Sequence, residues 1–256
     1  MNVKKKNLFV IIFFSFFINF FPVYGENSLY EIAGKEIIYK DDKNLIIASG
    51  DAYAKDQFGK EIYADKIIYN KKKLTILTSN KSIYLDDKGN KLEANNFFYD
   101  LKLKKIKANG DVNYFSNTKD HFKFSSFEYY EELQRGSGEN FSGLMADKSS
   151  LEGASAKIDQ IKGSLIVNQD KSGKKRNAYT SCEDEKGLTA SILERCPDWS
   201  ITSSKTTHDQ NEKMIYHKNV LVNIKNVPVF YTPYFSHPDP SVKRKSGFLP
   251  PSIKNF

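Results

Sequence analysis

The chain has 256 residues, a formal net charge of +8 and a mean hydropathy of −0.55. After residue 25 no stretch approaches about 18 unbroken apolar residues, which excludes a transmembrane helix in that part. The excess of lysine favours anionic partners only weakly, because the chain is also generally rich in Lys, Asn and Ile. The roughly 230 residues after the leader suit one large all-β domain or two small ones.

The first 25 residues have the composition of a secretory signal peptide. Three lysines at positions 4–6 form a positive region, and a mainly apolar stretch from Leu8 to Phe21 follows it. Small residues then precede a predicted cleavage site before Glu26. An uncleaved N-terminal anchor is the alternative, although the apolar stretch is shorter than the about 17–25 residues of a membrane helix. We therefore predict that residues 1–25 direct export and that the mature chain begins at Glu26.

A repeat of 30 residues follows the leader. Its columns hold an apolar-aromatic triplet, two further apolar positions and a turn position that tolerates positive φ. Each period is predicted to contain about three short β-strands, expected in the second period over 61–70, 74–78 and 82–85. The triplets begin at Ile37, Ile67, Phe97 and Phe127, the apolar columns are Ile46, Ile76, Ile106 and Ile62, Leu92, Phe122, and the turn column is Gly50, Asn80, Gly110, Asn140.

Alternation along the triplet strands predicts one apolar face in every period, because an even repeat length preserves the parity of side chains along a strand. Stacked periods would then form a continuous apolar strip. The strip could be an ordinary sandwich core or a trough open enough to hold lipid chains, and the recurring tyrosines slightly favour the trough. The residues predicted to line it are Ile37, Tyr39, Ile67, Tyr69, Phe97, Tyr99, Phe127 and Tyr129.

The periodic pattern fades after about Met145. Strands are still predicted over 159–167 and 214–225, with a polar turn over 170–176. The two cysteines, Cys182 and Cys196, could form one disulfide that closes a short loop, which would contribute about 3 kcal/mol. They could also be a reduced pair or bond to cysteines outside this chain.

Catalytic and metal-binding motifs are not found in the sequence. It contains no G-x-S-x-G, H-E-x-x-H, P-loop or G-x-G-x-x-G pattern. The four histidines, at positions 121, 208, 217 and 237, are predicted to be isolated surface or edge residues, and two cysteines without C-x-x-C spacing make a poor metal site. We therefore predict a protein that is not an enzyme, with no cofactor and no metal. Export also argues against a nucleic-acid partner.

Four blocks in the second half resemble the LptD family of outer-membrane lipopolysaccharide-assembly (OstA-type) proteins. They are Tyr179–Cys182, Trp199–Ile201, Val227–Phe235 and Arg244–Ser252. Taken in order these blocks are specific, and together with the repeats the resemblance covers about residues 30–256. The barrel-junction motif of the family is matched at Pro228, Tyr231, Pro233, Tyr234, Arg244, Ser246, Gly247, Phe248 and Pro251.

The resemblance implies an elongated all-β jellyroll of the OstA type over residues 26–225, at the periplasmic face of the outer membrane of a Gram-negative cell. Residues 226–256 would be a linker and the start of a C-terminal β-barrel. A barrel of the family's size needs a few hundred residues at about 10 for each strand, so the chain is expected to be truncated before it. Of the arrangements open to the cysteines, a local Cys182–Cys196 bridge is the one expected.

The function implied is lipopolysaccharide transport and assembly. The jellyroll would accept lipopolysaccharide from an LptA-like periplasmic bridge protein by edge-strand addition and guide its acyl chains towards a barrel. An LptE-like outer-membrane lipoprotein is a further partner that the resemblance implies. The alternative is a free-standing, soluble LptA-like carrier, against which the blocks after Trp199 argue. A β-solenoid adhesin or lyase would instead predict coils of about 20–25 residues and an acidic catalytic cluster.

Overall fold

The protein, described by a computed structural model over residues 30–173, 176–180 and 198–242, is built of antiparallel strands, with one short 3₁₀ turn at Asp41–Lys43. The predicted all-β class is confirmed. None of the helical structure in these residues is long and apolar enough to cross a membrane. The strands are β1 (Tyr30–Ala33), β2 (Glu36–Lys40), β3 (Leu45–Asp56), β4 (Glu61–Asn70), β5 (Thr75–Ser79), β6 (Ser82–Leu85), β7 (Lys91–Ala94), β8 (Asn96–Asp100), β9 (Lys105–Phe115), β10 (His121–Tyr130), β11 (Arg135–Leu144), β12 (Ser150–Asp159), β13 (Ser164–Asn168), β14 (Asn177–Thr180), β15 (Trp199–Ser203), β16 (Lys205–Asp209), β17 (Met214–Ile224) and β18 (Val227–Pro238).

The long strands divide the sheet into two walls. In β3 the first half pairs with β2, whereas the second half pairs with β1, and the register shifts between Ser49 and Ala52. The same division recurs along β4, β9 to β12, β17 and β18. Wall 1 contains β2, β5, β8, β13 and β16, and wall 2 contains β1, β6, β7, β14 and β15, each together with halves of the long strands. The result is the predicted jellyroll.

The walls meet along a corner edge, where the chain turns from one wall to the other. The predicted turn column lies there, and all four of its residues have positive φ, with values of 71°, 58°, 76° and 51° in chain order. Glycine and asparagine adopt this backbone conformation at low cost, so the turn prediction is confirmed. The hairpin turns within each wall lie at the opposite ends of the strands, along what we call the turn edge.

Aromatic contacts show that the two walls face each other. Tyr84 in wall 2 lies edge-on to Tyr99 in wall 1, with ring centroids 6.0 Å apart. Tyr114 in wall 2 approaches Phe127 and Tyr129 in wall 1 at 5.9 and 6.4 Å. The core therefore lies between the walls, and the predicted apolar columns contribute to it from both sides: Ile46, Ile76 and Ile106 from wall 1 and Ile62, Leu92 and Phe122 from wall 2.

The predicted strands of the second period match β4, β5 and β6 to within a residue, and β17 confirms the strand expected over 214–225. The strand predicted over 159–167 is wrong. β12 ends at Asp159, residues 160–163 form a hairpin turn, and β13 begins at Ser164, with Asp159 opposite Ser164. Gly163 has a φ of 58° in this turn, and glycine before a β-branched run was a turn signal.

Residues 227–238, assigned from the sequence to a linker and the start of a barrel, form β18. This strand pairs with β17 along nearly its whole length and extends both walls. The assignment of 226–256 to a separate segment remains a prediction, since residues 243–256 lie outside the described part of the chain, as does the predicted signal peptide.

Gly138 in β11 is expected to tolerate no side chain. A Cβ atom there would lie 2.5 Å from Cδ1 of Phe124 and 2.5 Å from the main-chain oxygen of Ser126. A backbone oxygen in a paired strand cannot move aside freely, so Gly138→Ala should lower the free energy of unfolding by about 1–3 kcal/mol. Urea denaturation measures this, with the exposed neighbour substitution Ser137→Ala as control. Equal midpoints for the two variants would contradict the close packing.

Candidate functional site

Six of the eight residues predicted to line the apolar strip lie buried between the walls. They come from β4, β8 and β10 in wall 1, and their neighbours across the interior belong to wall 2. We call this set the interior strip. Its members are Ile67, Tyr69, Phe97, Tyr99, Phe127 and Tyr129.

The other two predicted residues occupy the same columns but are exposed. Tyr39 stands opposite Ile46, which in turn stands opposite Tyr69, so their side chains share one face. Nevertheless Tyr39 is 64% exposed and Ile37 36% exposed. The reason is position, because β2 pairs only with β3 among the described strands and forms the edge of wall 1. The first period therefore contributes exposed residues to the predicted apolar face, whereas the later periods contribute buried ones.

Tyrosine hydroxyls from both walls converge on Glu131 at the turn edge. Tyr84 donates to Oε1 of Glu131 at 2.5 Å and Tyr99 donates to the same atom at 2.7 Å. The ammonium group of Lys60, in a turn of wall 2, pairs with Oε2. The side chains of Glu131 and Lys60 are only 9% and 17% exposed. We call these four residues the Glu131 clasp, because they join a turn of wall 1 to wall 2.

Gln160 makes a second polar connection at the turn edge. Its carbonyl oxygen accepts a hydrogen bond from Tyr129 at 3.0 Å, and its amide nitrogen donates to the hydroxyl oxygen of Tyr114 at 2.6 Å. Tyr129 belongs to wall 1 and Tyr114 to wall 2. The strip is therefore apolar in its interior and carries a line of hydrogen-bonded hydroxyls along one edge, as expected for tyrosine at a boundary between apolar and polar surroundings.

Burial raises the pKa of Tyr84 and Tyr99, and the nearby Glu131 carboxylate raises both further. Burial likewise raises the pKa of Tyr114. These hydroxyls therefore keep their protons at any physiological pH and act as hydrogen-bond donors. Beside the Glu131 clasp the turn edge holds a cleft of about 460 Å³. The cleft is lined by apolar and charged side chains, among them Tyr30, Phe58, Leu101, Lys88 and Lys104.

Three histidines predicted to be isolated at the surface are buried together instead. His208, His217 and His237 are 3%, 1% and 2% exposed. They lie on β16, β17 and β18, which are neighbours in wall 1, so residues distant in sequence become adjacent. The prediction failed because the surroundings of these histidines depend on which strands pair. The repeat pattern has faded in this part of the sequence and no longer indicates that pairing. The sequence signal was the shared parity of Ile215 and His217 on β17.

Burial lowers the pKa of His217 and His237, so both rings are neutral, and their hydrogen bonds define the tautomer of each. Nδ1 of His237 lies 2.9 Å from the carbonyl oxygen of Pro238 and must donate. Nε2 of His237 then accepts from Nε2 of His217 at 3.1 Å, and Nδ1 of His217 accepts from the hydroxyl of Thr206 at 3.1 Å. Burial lowers the pKa of His217 to about 3, and the neighbouring His237 adds to the effect.

A third polar connection at the turn edge involves carboxyl groups. Nε2 of His208 lies 2.6 Å from Oδ2 of Asp239. Burial opposes ionisation of Asp239, but hydrogen bonds, chiefly from His208, hold its pKa below the ordinary value. Asp147, in a turn of wall 2, has its pKa raised by burial and by the proximity of Asp239. Among the described residues no group of three or more His, Cys, Asp or Glu side chains has the arrangement of a metal site.

The predicted barrel-junction residues divide between described and undescribed parts of the chain. Pro228, Tyr231, Pro233 and Tyr234 lie on β18 and are exposed, together with Phe230. Since β18 pairs only with β17 among the described strands, it forms the second end of both walls. The remaining predicted junction residues lie outside the described part of the chain: Arg244, Ser246, Gly247, Phe248 and Pro251. Both cysteines, Cys182 and Cys196, also lie outside it.

No family model matches the chain. A stretch of 79 residues is 39% identical to the LPS-assembly protein LptD of Yersinia enterocolitica and covers 31% of this chain and 10% of that protein. A stretch of 55 residues is 47% identical to LptD of Francisella tularensis subsp. novicida and covers 22% of this chain and 6% of that protein. Over 112 residues it is 31% identical to LptD of Yersinia pseudotuberculosis, covering 41% and 14%.

Among solved structures, LptH of Pseudomonas aeruginosa, described as the LptA homologous periplasmic component of the lipopolysaccharide transport device, superposes with a TM-score of 0.38. The sequence identity is 11%, and the match covers 41% of this chain and 78% of that one. The chain matches only about a tenth of the length of the curated relatives, with 14% the largest share of the three. Within that extent the predicted resemblance is confirmed, because stretches of this chain are similar in sequence to LPS-assembly proteins LptD.

Proposed function

We propose that this chain carries lipopolysaccharide at the periplasmic face of the outer membrane, without covalent chemistry, and that the interior strip is the path of the acyl chains. The single observation that carries the proposal is the continuity of the strip, since aliphatic and aromatic side chains from successive repeats line one interior between two walls. Each methylene group kept out of water is worth about 0.8 kcal/mol. A lipid with several acyl chains therefore needs an unbroken apolar path, which stacked repeats provide.

The N-terminal end of the walls is suited to receive a periplasmic bridge protein of the LptA type. β2 is an edge strand whose outer N–H and C=O groups have no partner strand among the described residues. Its side chains Ile37, Ile38 and Tyr39 are exposed. A second β-sheet can pair with such an edge and continue both the hydrogen bonding and the apolar strip.

The C-terminal end offers a second edge at β18. Five of its large apolar side chains are more than half exposed: Val227, Val229, Phe230, Tyr231 and Tyr234. An exposed edge strand this apolar is normally covered in the working assembly. We propose that the barrel side of the outer-membrane machinery, with an LptE-like lipoprotein, covers it, which favours a translocon component over a free-standing carrier.

Site-specific photo-crosslinking in cells tests the path. A photoreactive residue at position 69 or 99 should capture lipopolysaccharide, because Tyr69 and Tyr99 belong to the interior strip. The same residue at position 102 should not, because Lys102 lies in an exposed turn of wall 1. Equal capture at all three positions would overturn the assignment of the strip, and no capture at any would overturn the proposed function.

A further inference from the structure

The turn edge is closed by side chains that occupy equivalent positions in wall 1. Glu131, Gln160 and Asp239 each follow directly after a wall 1 strand. In each case the main-chain N–H donates to a carbonyl group of the preceding hairpin, at 3.0, 2.9 and 3.0 Å. This common ladder sets the three side chains along one line. Each of the three side chains contacts residues of wall 2. The partners are Lys60 and Tyr84 for Glu131, Tyr114 for Gln160 and Asp147 for Asp239.

The corner edge cannot open in the same way. There the two walls are joined covalently by the long strands, which run from one wall into the other in β3, β4, β9 to β12, β17 and β18. The turn edge has no such strand crossing it among the described residues. An acyl chain entering sideways must therefore pass between the hairpin turns, and the polar connections stand in its way.

Polar connections suit a closure that must be reversible. When such a contact separates, its carboxylate, ammonium and hydroxyl groups regain hydrogen bonds with water, so the loss is far smaller than the vacuum strength of those bonds. An apolar contact that separated would instead expose its whole area. The Glu131 clasp is also next to the cleft of about 460 Å³, whose aromatic residues Tyr30 and Phe58 lead from the surface to the strip.

We propose that the Glu131 clasp is a gate through which acyl chains enter the interior strip sideways, and that Glu131 must release Lys60, Tyr84 and Tyr99 before a chain can enter. This inference rests on the proposed function, because it takes the strip to be the lipid path. In this proposal Glu131 holds Lys60, Tyr84 and Tyr99 together across the entrance and does not itself bind the lipid. The alternative route is entry from the end of the walls beside β1 and β2, which would leave the clasp closed.

Stopped-flow binding of a fluorescent long-chain fatty acid, and separately of lipopolysaccharide, to the purified chain tests the gate. Glu131→Ala should raise the association rate about tenfold. A factor of ten corresponds to about 1.4 kcal/mol, which is of the order contributed by a hydrogen bond to a charged group. The double variant Tyr84→Phe, Tyr99→Phe keeps both rings and removes only the two hydroxyl groups, so it should show the same direction of change even if Glu131→Ala folds poorly.

Two controls separate gating from other effects. Glu139→Ala removes an exposed carboxylate on β11 that does not line the cleft, and Gly138→Ala lowers stability at the corner side of β11 without touching the clasp. Neither should change the association rate. Saturable binding at the wild-type rate in both clasp variants would overturn the gate and leave the proposed function standing. A rate increase of similar size in Gly138→Ala would also overturn the gate, and absence of binding by every protein would overturn both.

Discussion

Replacing Phe127 by alanine is expected to lower the free energy of unfolding by about 3–5 kcal/mol, the usual cost of removing a buried aromatic side chain. Phe127 is 2% exposed. Its ring lies 4.6 Å from that of Phe124 and 5.9 Å from that of Tyr114, measured between centroids. It also fills the space above Gly136, where a Cβ atom would lie 2.3 Å from the Phe127 ring. A truncated side chain would leave a cavity that none of these neighbours can close.

Tyr39 provides the matched control, because it belongs to the same repeated triplet and is aromatic but lies on the uncovered edge strand β2. Tyr39→Ala should change stability by no more than about 0.5 kcal/mol, as for other exposed substitutions. Urea and thermal unfolding, followed by circular dichroism, measure both variants. If the two substitutions cost the same, the burial difference between the first and fourth repeats would be wrong, and with it the picture of a continuous interior strip.

The strands of the repeats could be predicted because each local signal agreed with the others. The turn column, the alternation and the apolar columns share one period, and the structure places them at the corners and in the core as expected. The bending of each long strand across two walls was not predictable from the same pattern. The buried positions of β4 change parity at the corner, from Ile62 and Ala64 to Ile67 and Tyr69. Only the pairing partners, β5 for one half and β6 for the other, show that the two halves belong to different walls.

The polar part of the site was missed for a related reason. Glu131 follows a strand and is itself followed by a second glutamate, Glu132, so in sequence it has the character of a solvated turn. Its partners Lys60, Tyr84 and Tyr99 lie 71, 47 and 32 residues away. None of these separations is a whole number of repeats. The contacts with Lys60 and Tyr84 cross from wall 1 to wall 2, and the contact with Tyr99, within wall 1, differs by two residues from one repeat. Repeat analysis detects neighbours within a wall and not those across it.

The second large effect expected is a loss of stability on acidification from pH 7 to pH 5, caused mainly by His217. The pKa of His217 is lowered to about 3 in the folded protein, whereas the unfolded chain has a value of about 6.5. Between these values the unfolded state binds more protons than the folded state. The stabilising contribution is therefore complete above about pH 6.5 and is lost as the pH falls, amounting to about 2 kcal/mol at pH 5.

The groups around His217 determine how the effect must be isolated. The pKa of His237 is also lowered, chiefly by burial, so its contribution has the same sign. Asp147 acts in the opposite sense, because its raised pKa favours the protonated folded state as the pH falls. Asp239, with a lowered pKa, loses its contribution only below the ordinary range of an aspartate and changes little in this interval.

Substitution of His217 by glutamine separates these contributions, since Asp147, His237 and Asp239 remain in the variant. Urea midpoints measured at half-unit steps between pH 7 and pH 5 should fall steeply for the wild-type protein and less steeply for His217→Gln. The exposed neighbour substitution Lys218→Gln on the same strand should keep the wild-type slope. Parallel pH dependences for all three proteins would show that His217 is not held neutral. A charged His217 ring would have to donate from Nδ1 as well as from Nε2, so the hydroxyl group of Thr206 would have to accept a hydrogen bond instead of donating one.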